Sequence, residues 1–527
     1  MGSSSMHVLA VVPIFTSAGV ALLPTIVAAI ASLAAIVLKP REFLRLARRR
    51  PVAVGVAAGA VALGLAAWGL ASGMSPRSSA VAEAGKAVRW DWAKTAEEII
   101  AQERSGKTPT AQALDAPSDT ALVLGRDFAR CFYGGGRSPL ELKPLWQFRP
   151  EETMFLSCPA VAGKRVFAAG CQSELGNYTG VLACLDAETG KPLWQVTQGA
   201  GEELRPFFSS PALTRDGKYL VIGQGLHSDR DCSLLCFDAA TGQQRWAVKT
   251  PLHVESSPAI FGNMAVVGAG AIEGQDGKAV GDPGFVVAVR IDDGKELWRQ
   301  PVNDPESSPA IDDDGTVYIG SGCNGNAVIA IRSESDEQLR DKKLDRVVWR
   351  AAVAQPVLGA VTLAGDMVVA GAGNGDVVHS NRNAQGLVVA LDRKTGAIRW
   401  QTPLDDAVLG TIAFREGALI CPSRTGEVTA LAAGDGRVLW HTRISGKAPV
   451  LAGCAFTGRR VYAVSSDGYL AVIDFKAGKV LEKAYLNDQA KPGTGLTLSP
   501  PQVIGGRVIV GSETGGLQCL LGSEGAK

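Results

Sequence analysis

The sequence predicts an all-β fold, an eight-bladed β-propeller, preceded by two transmembrane α-helices. Three observations carry that reading. A Thr-Gly or Asp-Gly turn followed four positions after its glycine by tryptophan recurs along the chain: CLDAETGKPLW ends at Trp194, CFDAATGQQRW at Trp246, RIDDGKELW at Trp298, ALDRKTGAIRW at Trp400 and LAAGDGRVLW at Trp440. With Trp349 included, successive tryptophans from Trp194 lie 52, 52, 51, 51 and 40 residues apart. Two long uncharged runs stand apart at the N-terminus.

A fixed repeat of this length is one supersecondary unit used many times over. In the third unit SSPAIFG, MAVVGAG, GFVVAVRI and KELWRQPV alternate β-branched or aromatic residues with small and polar ones, and Gly or Asp marks the turns. Four antiparallel strands cannot bury both faces of their sheet alone and stack on neighbours around an axis. Unit openings near Ser157, Ser210, Ser257, Ser308, Leu358, Leu409, Leu451 and Pro500 give eight blades. The last unit stops before its tryptophan strand, while an orphan strand, LELKPLWQF around Trp146, precedes the first. Joining the two closes the ring.

Trp146, Trp194, Trp246, Trp298, Trp349, Trp400 and Trp440 occupy one repeated position, as expected of plugs packed between adjacent blades. The seventh unit has Glu482 there, and the blade of Trp349 carries a charged insertion, SESDEQLRDKKLDR, in place of its turn.

These motifs resemble the pyrroloquinoline quinone (PQQ) type repeat, whose tryptophan-docking motif reads A-x-D-x-x-T-G-x-x-x-W. Ala390 to Trp400 matches every stated position, and Cys184 to Trp194 and Cys236 to Trp246 match apart from the first. The resemblance covers roughly residues 131 to 522 and implies the propeller. It leaves activity open, because the family holds quinoprotein dehydrogenases and also cofactor-free scaffolds such as the BamB-like lipoprotein of outer-membrane barrel assembly.

The N-terminus is built differently. Val8 to Leu38 and Val52 to Met74 contain no charge, and each is long enough to cross a hydrocarbon core of about 30 Å. Between them KPREFLRLARRRP carries Lys39, Arg41, Arg45, Arg48, Arg49 and Arg50 against Glu42. The positive-inside rule puts that loop in the cytoplasm and both termini outside. A signal peptide is the alternative, but the first run lacks a basic start and exceeds the usual apolar length. Gly55/Gly59 and Gly69/Gly73 stand at GxxxG spacing, which suits packing of the spans on each other or on a membrane partner. The expected organisation is a membrane anchor over 1–78 (spans about 8–38 and 52–74, cytoplasmic loop 39–51), a linker with a short helix over 79–140, and the propeller over 141–527. The expected location is a bacterial inner membrane with the propeller in the periplasm.

Composition narrows the function. A net charge of +1 gives no reason to expect nucleic-acid binding. The ten cysteines are irregularly spaced, with no C-x-x-C pair, and read as buried small apolar residues. A quinoprotein alcohol dehydrogenase is expected to show adjacent cysteines and large inserted loops, and no two cysteines here are adjacent. The run Asp312-Asp313-Asp314-Gly315 reads as a hairpin turn rather than a calcium loop. No catalytic residue, cofactor or metal is therefore assigned. The expected function is a protein-binding or assembly scaffold whose partners are other membrane or periplasmic proteins, with a membrane-anchored PQQ-dependent dehydrogenase as the alternative.

A binding surface is still legible. In an antiparallel blade the connections from second to third strand, and from fourth strand to the next blade, share one face. Second-to-third connections are long or glycine-rich in the first five blades (GCQSELGNYTG, GQGLHSDRDC, GAGAIEGQDGKAVGDPG, GSGCNG, GAGNGDVVHSNRNAQG) and tight in the last three. Loops that form no core are disproportionately functional. On this face eleven acids, Glu202, Glu203, Asp229, Asp231, Glu255, Glu273, Asp276, Asp282, Asp304, Glu306 and Asp376, outnumber Arg205, Arg230, Lys278 and Arg382, which favours a cationic partner or a cation. His227, His253 and His379 fall there too. Metal binding with Asp229 and Glu255 is one reading of them, but no pair has helix or knuckle spacing, and solvated loop histidines are the expectation. The partner-binding candidates are Arg205, His227, Asp229, His253, Glu255, Glu306, Asp376 and His379, with Glu255 and Glu306 side by side at the channel mouth.

Overall fold

Each repeat folds as the alternation dictates. The computed structural model describes residues 120–121 and 138–523, apart from 151, 175–176, 228, 271–283, 416 and 458. Both predicted spans and the predicted linker helix lie outside these residues. Among the described residues no helix is long and apolar enough to cross a membrane.

Eight antiparallel sheets follow one another around the axis, each running from an inner to an outer strand, in sequence order in every blade but the last. The second blade is typical: Ala212–Leu213, Tyr219–Gly223, Arg230–Asp238 and Gln244–Leu252. Its middle strands are apolar on both faces because both faces are covered, and its outer strand alternates exposed and covered residues because one edge meets water. A separate buried cluster fills each interface between neighbouring blades; Val221, Cys236, Val267 and Val287, for example, join blades two and three. Ring closure is as the sequence predicts. Leu140–Phe148 is the outer strand of the last blade and pairs antiparallel with Leu517–Ser523, Trp146 opposite Cys519.

The repeated tryptophan and the repeated turn explain each other. Indole Nε1 of Trp146, Trp194, Trp246, Trp349, Trp400 and Trp440 donates to the carbonyl of Ala187, Ala239, Ile291, Arg393, Ala433 and Phe475, each in the third-to-fourth turn of the next blade. The glycine three residues after that carbonyl sits under the ring. At Gly396 φ is +73° and an added Cβ would lie 2.7 Å from the Trp349 ring. Only glycine meets both demands.

Two departures from the motif are compensated. The charged insertion forms a short helix, α1 (Asp336–Lys342), with a capping box between Ser335 and Gln338. Trp298 Nε1 donates to the backbone carbonyl of Ser333, and Arg346 covers its ring at 4.8 Å, held by the carbonyls of Arg332 and Glu334. Glu482, standing in the tryptophan position, docks by charge: its carboxylate accepts the amides of Glu141 and Leu142 at 2.6 and 2.8 Å.

The unit openings build the inner ring. Ser209 Oγ donates to the Ser256 carbonyl, Ser256 Oγ to that of Ser307 and Ser307 Oγ to that of Gly359, while each hydroxyl also accepts an amide from its own second strand. The residues just before these serines are thereby fixed at the channel rim.

Some expectations change. GCQSELGNYTG is mostly not a loop: Arg165–Glu174 and Asn177–Asp186 continue as paired strands up to the tip. Asp304 is buried, with φ +46°, and its carboxylate accepts the Cys323 amide, so it is not part of an open acidic surface. Asp312 to Gly315 form the expected turn, the Asp312 carboxylate accepting the amides of Asp314 and Thr316. Nine cysteines lie among the described residues, and all but Cys323 are buried.

Candidate functional site

Three connections on the loop-rich face converge at the rim between blades two, three and four. The second-to-third connection of blade two carries His227. Its turn is closed by Asp229, whose amide donates to the Leu226 carbonyl and whose carboxylate accepts the Leu226 amide, both at 2.9 Å. The exit from blade two carries His253 and Glu255, fixed by the Val254 amide on the Gln224 carbonyl and the Gly270 amide on the His253 carbonyl. The exit from Glu296–Pro301 carries Glu306, one residue ahead of the inner-ring Ser307.

The side chains meet on a single atom. Glu306 Oε1 lies 3.0 Å from His227 Nδ1 and 2.9 Å from His253 Nε2. The two imidazoles tilt against each other with ring centroids 5.2 Å apart. His253 is fully buried, Glu306 is 14% exposed and His227 is 47% exposed, so the cluster has a dry floor and an open mouth.

Glu255 and Glu306 influence each other electrostatically. Burial, reinforced by the Glu306 charge, pushes the Glu255 carboxyl well above the usual range. Burial also opposes ionisation of Glu306, but the hydrogen bonds from His227 and His253 prevail and hold it low. One carboxylate of the pair is thus the anion and the other the reluctant one. The neighbouring Cys232 is a poor nucleophile, its thiol pushed up to about 11 by burial.

The other candidates do not join this cluster in the described contacts. Arg205 is exposed on the connection from blade one to blade two, its amide donating to the Gln224 side chain. His379 pairs with Asp376 at 3.9 Å on the blade-five loop, where Asp376 also accepts the amides of Val378 and His379. Glu273, Asp276, Lys278 and Asp282 lie outside the described residues. Gly270 is the member that sequence reading misses. An added Cβ there would lie 2.8 Å from both His253 Nε2 and Glu306 Cγ, and the only sequence signal is its place in the glycine-rich GAGAIEGQ run.

Comparison with known proteins assigns the architecture. Residues 143–345, 286–384 and 374–527 match the family described as outer membrane protein assembly factor BamB. The chain belongs to that family. Outer membrane protein assembly factor BamB of Burkholderia pseudomallei is 25% identical over 344 residues, which are 63% of this chain and 77% of that protein. The dehydrogenase subunit of the quinone alcohol dehydrogenase of Gluconobacter oxydans is 26% identical over 338 residues, 58% of this chain but only 41% of the enzyme. The crystal structure of BamB from Moraxella catarrhalis superposes with a TM-score of 0.53 at 16% identity, covering 74% of this chain and all of the other, a likeness of fold.

Proposed function

We propose that this chain is a protein-binding scaffold of the assembly-factor kind. Two N-terminal spans hold it in a bacterial inner membrane, and its propeller presents the loops of blades one to five to other membrane or periplasmic proteins. The family match over residues 143–527, described by an assembly factor, carries the reading. The boundaries 1–78, 79–140 and 141–527 and the periplasmic placement rest on the uncharged runs and the basic loop between them.

A membrane-anchored PQQ-dependent dehydrogenase is the second reading, favoured by the similarity to quinone alcohol dehydrogenases. The residues present do not fit PQQ held against a disulfide of adjacent cysteines, since no two cysteines are adjacent in the sequence.

Glu255→Gln with Glu306→Gln tests the scaffold reading. Isolated from native membranes in mild detergent, the double variant should stay folded and recover its partners at least about tenfold less well than wild type, with the deficit narrowing at high salt as expected of charge-guided association. Wild-type recovery by this variant, together with loss on changing the tight connections of blades six to eight, would place binding elsewhere.

A further inference from the structure

Two imidazoles sharing one carboxylate oxygen do more than charge pairing requires. We propose that His227 Nδ1, His253 Nε2 and Glu306 Oε1 form a binding site for a divalent first-row transition ion of the zinc type at the channel rim. This inference goes beyond the scaffold reading and stands or falls separately from it.

The donor atoms already lie within 4.8 Å of one another. Bonds of about 2.1 Å at tetrahedral angles set neighbouring ligand atoms about 3.4 Å apart. The present separations of 3.0 and 2.9 Å from Glu306 Oε1 therefore need to open by only about half an ångström. Two histidines and a carboxylate are the donor set of zinc, cobalt and nickel, whereas calcium and magnesium call for oxygen-rich cages.

The surroundings suit an ion. Gly270 keeps backbone free of a side chain directly beside two of the donors. His253 Nδ1 is buried with no hydrogen-bond partner among the described residues, so none of these locks the ring's tautomer, and Nε2 serves equally as the N–H facing Glu306 or as a bare ligand nitrogen. The half-exposed His227 leaves one side of the site open to water or to a donor from a partner. Such an ion would tie together the same connections from blades two and three that His227, His253 and Glu306 now join by hydrogen bonds.

The test uses the full-length, tag-free protein in detergent, stripped with a chelator and titrated with zinc chloride and cobalt chloride. One equivalent should bind with a micromolar or tighter Kd, raise the melting temperature, and with cobalt give the visible absorption of a four- or five-coordinate ion. Calcium chloride at the same concentration should do none of this. His227→Ala, at an exposed position that leaves the fold intact, and Glu306→Gln should each weaken zinc at least tenfold. His441→Ala, on the outer strand of blade six, should leave the Kd unchanged. Failure of the stripped wild type to bind zinc stoichiometrically, or equal binding by the His227 and Glu306 variants, overturns the proposal. Partner recovery from chelator-treated membranes is scored independently, so loss of the ion site leaves the scaffold reading intact.

Discussion

Trp146→Ala is expected to cost about 3–5 kcal/mol, the largest effect of any single truncation considered, because it removes a buried ring from the interface that closes the ring of blades. Trp146 is 7% exposed, lies in the cluster joining blades eight and one, donates to the Ala187 carbonyl at 2.9 Å and packs against Gly190. It also belongs to Leu140–Phe148, the strand that covers the outer edge of Leu517–Ser523. A weakened closure leaves that edge free to pair with other chains. Denaturant or thermal unfolding should show a melting temperature lower by roughly 5 °C or more, with increased aggregation. Leu145→Ala, one residue away but 41% exposed, should cost less than about 1 kcal/mol. Equal costs at the two positions would mean that closure does not depend on the docked indole.

Gly396→Ala should cost about 2–4 kcal/mol. The left-handed backbone accounts for about 1–2 kcal/mol of this, and displacement of the Trp349 ring, which the new Cβ would meet at 2.7 Å, accounts for the rest. Gly262 is a matched control: its φ is +56° and an added Cβ meets nothing within 4 Å. Gly262→Ala should therefore show the backbone cost alone, and the difference in unfolding midpoint between the two variants measures blade docking. A difference near zero would contradict the account of the Thr-Gly turn as a seat for the preceding blade's tryptophan.

The architecture was legible because one interaction is written six times. Indole, carbonyl and glycine recur at fixed spacing, so period and strand alternation give blade number and even the closing strand at Trp146. Legibility fails where local sequence is overridden. GCQSELGNYTG reads as a loop because its glycines and polar residues hide the alternation that its pairing across Gly170 and Val181 reveals. Helix α1 carries its own capping signal at Ser335 and Gln338, but seven residues are too few to stand out from a charged loop. Asp304 counts as a surface acid until its positive φ turns the carboxylate onto the Cys323 amide.

The candidate site was half legible for a related reason. Equivalence of Glu255 and Glu306 before the inner serines follows from the repeat. The convergence of His227 and His253 on Glu306 does not, because it depends on how far one blade rotates against the next, and no spacing along the chain encodes that. His379 has the same residue type on the same face yet pairs with its own Asp376.

The central claim is that partners meet the loop-rich face of blades one to five. Site-specific photo-crosslinking in living cells tests it most directly, with the reactive residue placed in turn at Arg205, Asp376 and His379, all exposed on that face, and at Lys218 and Asp293, exposed on turns of the opposite face. Adducts of defined mass from the first three positions and none from the other two are the predicted result. Adducts confined to Lys218 and Asp293 would contradict the account.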